Sequence, residues 1–395
     1  MRVRPLSAAC PLALALVAAF ALAAGPRALA GAASARGRGA APARAAAAVP
    51  READGFTLAV PPYAYAFPRD HAAHPGYRTE WWYYTGHLVS GTRRFGFELT
   101  FFRVGLPRLR GASTSAWAVH DIVFVHAALT DEARGRFRFA DDAARPALDL
   151  AGTDSTRYHA WLDPDSVRLS ADGRTHELHG EGDGFGFTLS LGAQRAPVVH
   201  GEEGVSRKAA GVGDASHYYS FTRMPTRGTL RVDGESLAVT GTSWMDHEFG
   251  SSRLDESHQG WDWFSLQLDD GRDLMLYRLR RRDGRVEPFS SGTLIERDGR
   301  VRHLPLAAFA VDSTDSWTSP HTHARYPGAW RVRVPGAGID LALTPTVRDQ
   351  ELVASHMGGV TYWEGSVRAR GSSAGRPVSG EGYVELTGYA GRAPF

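Results

Sequence analysis

From Phe56 to Tyr389 short apolar runs alternate with turn residues, and almost no window keeps a helical period. Tyr83–Val89 and Phe95–Phe102 flank Ser90-Gly91-Thr92, and Ile122–Leu129 is mostly apolar. Val167–Leu169 and His176–Leu178 flank Ala171-Asp172-Gly173. Asp-Gly pairs separate three more sets of runs: Asp233-Gly234, Asp270-Gly271 and Asp298-Gly299. Such pairs favour two-residue hairpin loops, whose central residues take positive φ. Many short strands joined this way predict an all-β chain of antiparallel sandwiches or barrels. Ser190–Gly213 reads as a long loop, and a domain boundary is expected near Gly241.

The hairpin around Asp270-Gly271 offers the first candidate chemistry. On its first strand Trp261, Trp263, Ser265 and Gln267 share one face, and Asp262, Phe264, Leu266 and Leu268 the other. A two-residue loop sets that second face opposite Leu279, Tyr277, Met275 and Asp273. Asp262 is then a lone carboxyl on an apolar face, diagonal to Tyr277. Desolvation raises the pKa of such a group, and a carboxylic acid kept neutral in an apolar pocket can donate a proton. Adding water to an isolated C=C bond needs such a donor, and aromatic faces to stabilise the carbocation. Trp244 and Tyr277 are candidates for the faces, and Asp246 and His247 for positioning the water.

Each of these has a structural alternative. Asp262 could be bonded to arginine or backbone NH groups. Asp246-His247-Glu248 could be a strand end that ties two domains together. Glu80 shares strand parity with Trp82 and Tyr84 and could be the interior partner of an arginine. Trp82 and Tyr84, with Tyr219 and Phe264, are candidate ligand contacts that would equally serve as barrel packing.

The chain has 395 residues, room for two domains. Its start reads as an export leader: Arg2 and Arg4, the apolar run Pro11–Ala24, and a small-residue cleavage site at Ala28–Ala30. A low-complexity linker of Ala, Gly and Arg is expected over residues 31–54, then domains at 55–240 and 241–395. Cys10 is the sole cysteine, so a mature chain would have no disulfide, no thiolate chemistry and no cysteine-held metal. The formal charge of +2 includes Arg2, Arg4 and Arg27, and without the leader it falls just below zero. A near-neutral body gives no reason to expect a nucleic-acid partner. His71 and His74, or His321 and His323, are close in sequence, but no firm metal motif appears and no metal or other cofactor is expected. No G-x-S-x-G elbow or phosphate-cradling loop is present.

Four blocks carry a family likeness: His74–Leu88 with its double tryptophan; His217–Ser220 followed by Gly241–Gly250, which holds Trp244, Asp246, His247 and Glu248; Gly260–Leu268; and Tyr362–Gly365 with Gly382–Gly388. Together they resemble the carotenoid 1,2-hydratase / AttH-like family, and most closely its AttH-like branch. The resemblance implies two lipocalin-like antiparallel β-barrel domains and, in the enzyme branches, apolar isoprenoid or polyketide-derived ligands. One departure is His321-Thr322-His323, where a Thr-Gly pair is expected before Tyr326-Pro327. Two functions are then in view. One is an exported hydratase that takes an isoprenoid-like ligand and protonates a C=C bond, with Asp262 as the acid. The other is a periplasmic lipid or isoprenoid carrier, without catalysis, that works beside a membrane transport system.

Overall fold

The computed structural model describes residues 49–391, apart from 108–114, 116–117, 252–255 and 357–358. The expected leader, Cys10 and most of the linker lie outside the described residues. Among those described there is no α-helix, only three 3-10 turns, and the strands form two wholly antiparallel sheets. The all-β expectation, with two sheets curled into barrels, holds.

Both sheets follow one plan. In the first, Thr79–Ser90 pairs on one side with Arg93–Gly105 and on the other with Glu235–Gly250, the last strand of that sheet. In the second, His258–Leu268 pairs with Asp273–Arg281 and with Arg376–Thr387, again the last strand. Each half is thus a chain of hairpins closed by pairing its first strand with its last. The first sheet runs on to Gly250, so the break falls after Gly250 and not at Gly241, which is mid-strand.

Strand alternation gives each barrel its own core. Trp82, Tyr84 and Leu88 face inward with Phe97, Leu99, Phe101 and Met245; Phe264, Leu266, Leu276, Trp330 and Trp363 fill the second barrel. The opposite faces of the two closing seams pack against each other. Tyr83, Tyr218 and Trp244 of the first barrel meet Trp263, Met275, Tyr277, Leu279 and Tyr383 of the second. The approach is close: a Cβ at Gly96 would fall on the Tyr383 hydroxyl, so only glycine fits there.

The Asp233-Gly234 turn takes positive φ at both residues, as expected for a two-residue loop. At Asp270-Gly271 only the glycine does, with φ 89°. There Leu268 N–H bonds to the Arg272 carbonyl, 2.9 Å, and Gly271 N–H to the Leu268 carbonyl, 3.1 Å. The loop therefore holds Asp269, Asp270 and Gly271, the three-residue form in which a left-handed residue follows a tight turn. That one extra residue shifts the register: Trp263 lies opposite Tyr277, and Asp262 opposite Arg278. The expected juxtaposition of Asp262 and Tyr277 is corrected, because a slip of one residue sends a whole set of side chains to the other face.

Candidate functional site

A cavity of about 140 Å³ lies between the two packed seams. Trp81, Tyr83, Tyr218, Asp246 and Glu248 line it from the first barrel, and Trp261, Trp263, Tyr277, Glu364 and Glu385 from the second. Its walls mix large aromatic rings with buried acids and Lys208. Strand parity makes this so, since Trp81 and Tyr83 alternate with core-facing Trp82 and Tyr84, and Tyr383 and Glu385 alternate with core-facing Val384 and Leu386. A cavity near 150 Å³ holds a molecule the size of benzene, so this one has room for a group of about that size.

The acids in this wall are unusual. Glu385 is half-buried and accepts one hydrogen bond, from Trp261 Nε1 at 2.7 Å. Burial, with the negative charges of Asp246 and Glu248, pushes its pKa up to about 7 against that bond. Asp246 accepts from Tyr218 Oη at 2.6 Å, from Trp244 Nε1 at 2.6 Å and from the Ser220 hydroxyl. Burial still lifts it to about 7 against these three donors. Glu364 takes one bond from Tyr83 Oη, 2.7 Å; burial and the neighbouring Glu98 and Glu385 push it well above the usual carboxylate range. Burial likewise raises Glu98 to about 8. Glu248 accepts from the Ser216 hydroxyl and pairs with Lys208 Nζ at 3.0 Å. That ammonium also lies 4.3 Å from the centre of the Tyr277 ring.

The sequence candidates divide among three places. Asp246 and Tyr277 line the cavity, and Trp244 adjoins it through its bond to Asp246. Tyr277 Oη is engaged by the Arg207 carbonyl at 3.0 Å and Ser291 Oγ at 3.0 Å, so its ring face is what it offers. Asp262 points into the second barrel, where Arg278 Nη2 at 2.8 Å, Arg280 Nε at 2.9 Å and Tyr389 Oη at 3.0 Å hold it. Phe264 packs in that same core. Glu80, Trp82, Tyr84, Tyr219 and His247 face the interior of the first barrel. None of these five lines the cavity.

Inside the first barrel Glu80 is the hub of a polar cluster. It accepts from His74 N at 2.8 Å and Arg103 Nε at 3.1 Å, and lies 2.8 Å from His74 Nδ1 and 2.9 Å from His247 Nε2. Burial would raise its pKa, but these partners overcome burial and hold it well below the usual range. Among the described residues, this His74–Glu80–His247 group is the cluster with metal-ligand spacing. His321 instead pairs with Asp349 at 3.0 Å on the surface.

Glu385, Glu364, Glu98 and Lys208 were not among the sequence candidates. The parity of Gly382–Leu386, which sets Tyr383 and Glu385 together against Val384 and Leu386, was the available signal for Glu385. For Glu98 the available signal is its place as a lone acid in the apolar run Phe95–Phe102.

Comparison with known proteins bears on the whole molecule. Residues 58–389 match the AttH-like family. The crystal structure of a putative AttH from Nitrosomonas europaea is 35% identical, with a TM-score of 0.76 over 85% of this chain and 100% of that one. Kievitone hydratase from Nectria haematococca shares the fold at 16% identity, with a TM-score of 0.65 over 87% of this chain and 99% of that one. CghA does so at 14% identity and a TM-score of 0.50, over 87% and 98%. No curated protein matches the chain.

Proposed function

The chain belongs to the AttH-like family, and from that premise we propose that it hydrates a C=C bond of an apolar, isoprenoid-like molecule held between its barrels. The observation that carries this reading is Glu385, a carboxyl pushed up to about 7 on the wall of an aromatic cavity. Kievitone hydratase has the same fold, which makes a hydratase reading consistent with the architecture. Export through the Arg2–Ala30 leader belongs to the same proposal.

Glu385, protonated, gives its proton to the less substituted carbon of the double bond, leaving a carboxylate and a carbocation. The ring faces of Trp81 and Trp263 stabilise that cation, by roughly 0.5–2 kcal/mol each. A water molecule adds to the cation, and Asp246 accepts its surplus proton. Asp246, pushed up to about 7, is ionised in part near neutrality and can take that proton, while its three donors hold the carboxylate in place. Proton exchange with solvent then restores both acids. The size of the cavity confines this chemistry to a chain end or a single isoprene unit.

The test is to extract the purified protein with organic solvent, identify any bound molecule by mass spectrometry, and incubate it with the protein in H2(18)O. A product heavier by one labelled water supports hydration. Recovery of an apolar molecule that is bound tightly but never altered would replace this reading with that of a carrier.

A further inference from the structure

We propose that His74, Glu80 and His247 form a zinc site in the first barrel, separate from the cavity between the barrels. Each of the three offers one candidate ligand atom, and these atoms all lie within 4.8 Å of one another. The shared carboxylate oxygen is 2.8 Å from one ring nitrogen and 2.9 Å from the other. Tetrahedral zinc with bonds of roughly 2.0–2.1 Å places its donors about 3.3 Å apart, so each ring nitrogen must draw back from the carboxylate oxygen by about half an ångström to admit the ion. Two imidazoles and one carboxylate suit zinc, and leave a fourth position for water.

The outer atoms of the three ligands support the assignment. Metal-bound histidines commonly engage a carboxylate or another polar group through their second nitrogen, which fixes ring orientation and tautomer. His74 Nε2 lies 3.4 Å from Asp70 Oδ1, and His247 Nδ1 lies 2.9 Å from Tyr219 Oη. Glu80 Oε2 is held by Arg103 and the His74 backbone N–H. The rings are clamped as well: His74 stacks on Phe249 at 3.7 Å with planes 7° apart, and His247 stacks on Trp82 at 4.9 Å. Glu80 and His247 stand on paired strands, while His74 comes from the segment just before the first of them. His74 is the one partly exposed ligand, and so offers the entry path.

Charge does not forbid the ion. Arg103 is balanced by Asp121 at 2.7 Å, and Arg69 by Asp70 at 2.6 Å. Glu80 thus keeps a negative charge to offer the metal. Without an ion the same three groups can hold together by hydrogen bonds alone, and the experiment must separate these states.

The full chain is treated with EDTA, dialysed, and titrated with zinc chloride by calorimetry. One equivalent is expected to bind. His74→Gln should lose binding, and Asp70→Asn should weaken it by about 10–100-fold, the usual effect of removing an outer partner. His321→Ala, on the surface pair with Asp349, should bind as the parent does. Cobalt chloride titrated into the parent protein should give the intense visible bands of tetrahedral cobalt; this readout decides the matter if His74→Gln fails to fold. Failure of the parent to bind zinc, equal binding by folded His74→Gln, or an octahedral cobalt spectrum would each overturn the proposal.

Discussion

Two faces of one pair of strands carry buried acids of opposite character. On the inner face of Thr79–Ser90 and Glu235–Gly250, Glu80 meets Arg103 and two histidines. On the outer face Asp246 meets only neutral donors, and across the cavity Glu385 has a single indole N–H. Burial raises the proton affinity of all three, so burial does not distinguish them. The difference is a fixed cation. A carboxylate beside guanidinium stays ionised and ties strands together, whereas one among tyrosines and tryptophans keeps its proton to near neutrality. Asp262 likewise sits between two guanidinium groups, those of Arg278 and Arg280.

Substitution of the outer acid should have the largest effect. Glu385→Gln keeps the shape and the bond from Trp261 but has no proton to give. Loss of a general acid should lower kcat by about 10²–10⁴, equivalent to roughly 3–5 kcal/mol of barrier, with ligand binding and urea stability retained. Steady-state turnover of the extracted ligand measures it. A fully active Glu385→Gln protein would erase the contrast between the two faces.

The inner acid should answer in stability and not primarily in chemistry. Glu80→Leu leaves the buried guanidinium of Arg103 to Asp121 alone and takes the carboxylate away from His74 and His247. Removing one partner of a buried ion pair typically costs about 3–5 kcal/mol. Equilibrium urea unfolding should show a loss of that size. A loss under about 1 kcal/mol, as for an exposed pair, would mean that Glu80 is not the hub of that cluster.

Much of this contrast is legible in the amino-acid sequence alone, and one residue of loop length hides the rest. The alternation in Thr79–Ser90 separates Glu80, Trp82 and Tyr84 from Trp81 and Tyr83, and the interior-arginine alternative for Glu80 is what Arg103 provides. Asp246 is a sequence candidate and lies in the cavity. The partner of Asp262 is misread because the Asp-Gly pair suggests a two-residue loop; Asp269 joins the loop instead, and Arg278 and Arg280 supply the arginine alternative for Asp262. Glu385 does not stand out in the sequence because its importance depends on a second sheet packed over it. A chain read one strand at a time does not show which outward face will be covered.

The corrected register gives a smaller, sharper test. Asp262→Asn keeps the side-chain shape but leaves Arg278 and Arg280 without a countercharge. Both arginines are partly exposed, so the cost should fall below that at Glu80, at about 1–3 kcal/mol. Turnover should remain at the parent rate, since Asp262 faces away from the cavity. Loss of turnover in a protein that unfolds at nearly the parent urea midpoint would return the acid role to Asp262.

The finest discrimination is in pH. Glu385 gives up its proton near 4.5 in the unfolded chain, but only at about 7 in the folded one. Between those values the folded state holds more protons, so the contribution of Glu385 to stability is full below 4.5 and is lost as pH rises toward 7. The slope for one such proton is up to about 1.4 kcal/mol per pH unit. Asp246, Glu98 and Glu364 shift in the same direction, so the parent curve alone does not isolate one residue. The difference between the parent and Glu385→Gln does. Measured by urea unfolding from pH 4.5 to 7.5, it should fall as pH rises, and kcat/KM of the parent should fall above pH 7 as the acid form is lost. A difference that rises with pH would place Glu385 with Glu80, as an ionised structural carboxylate, and would move the search for the proton donor to Glu364.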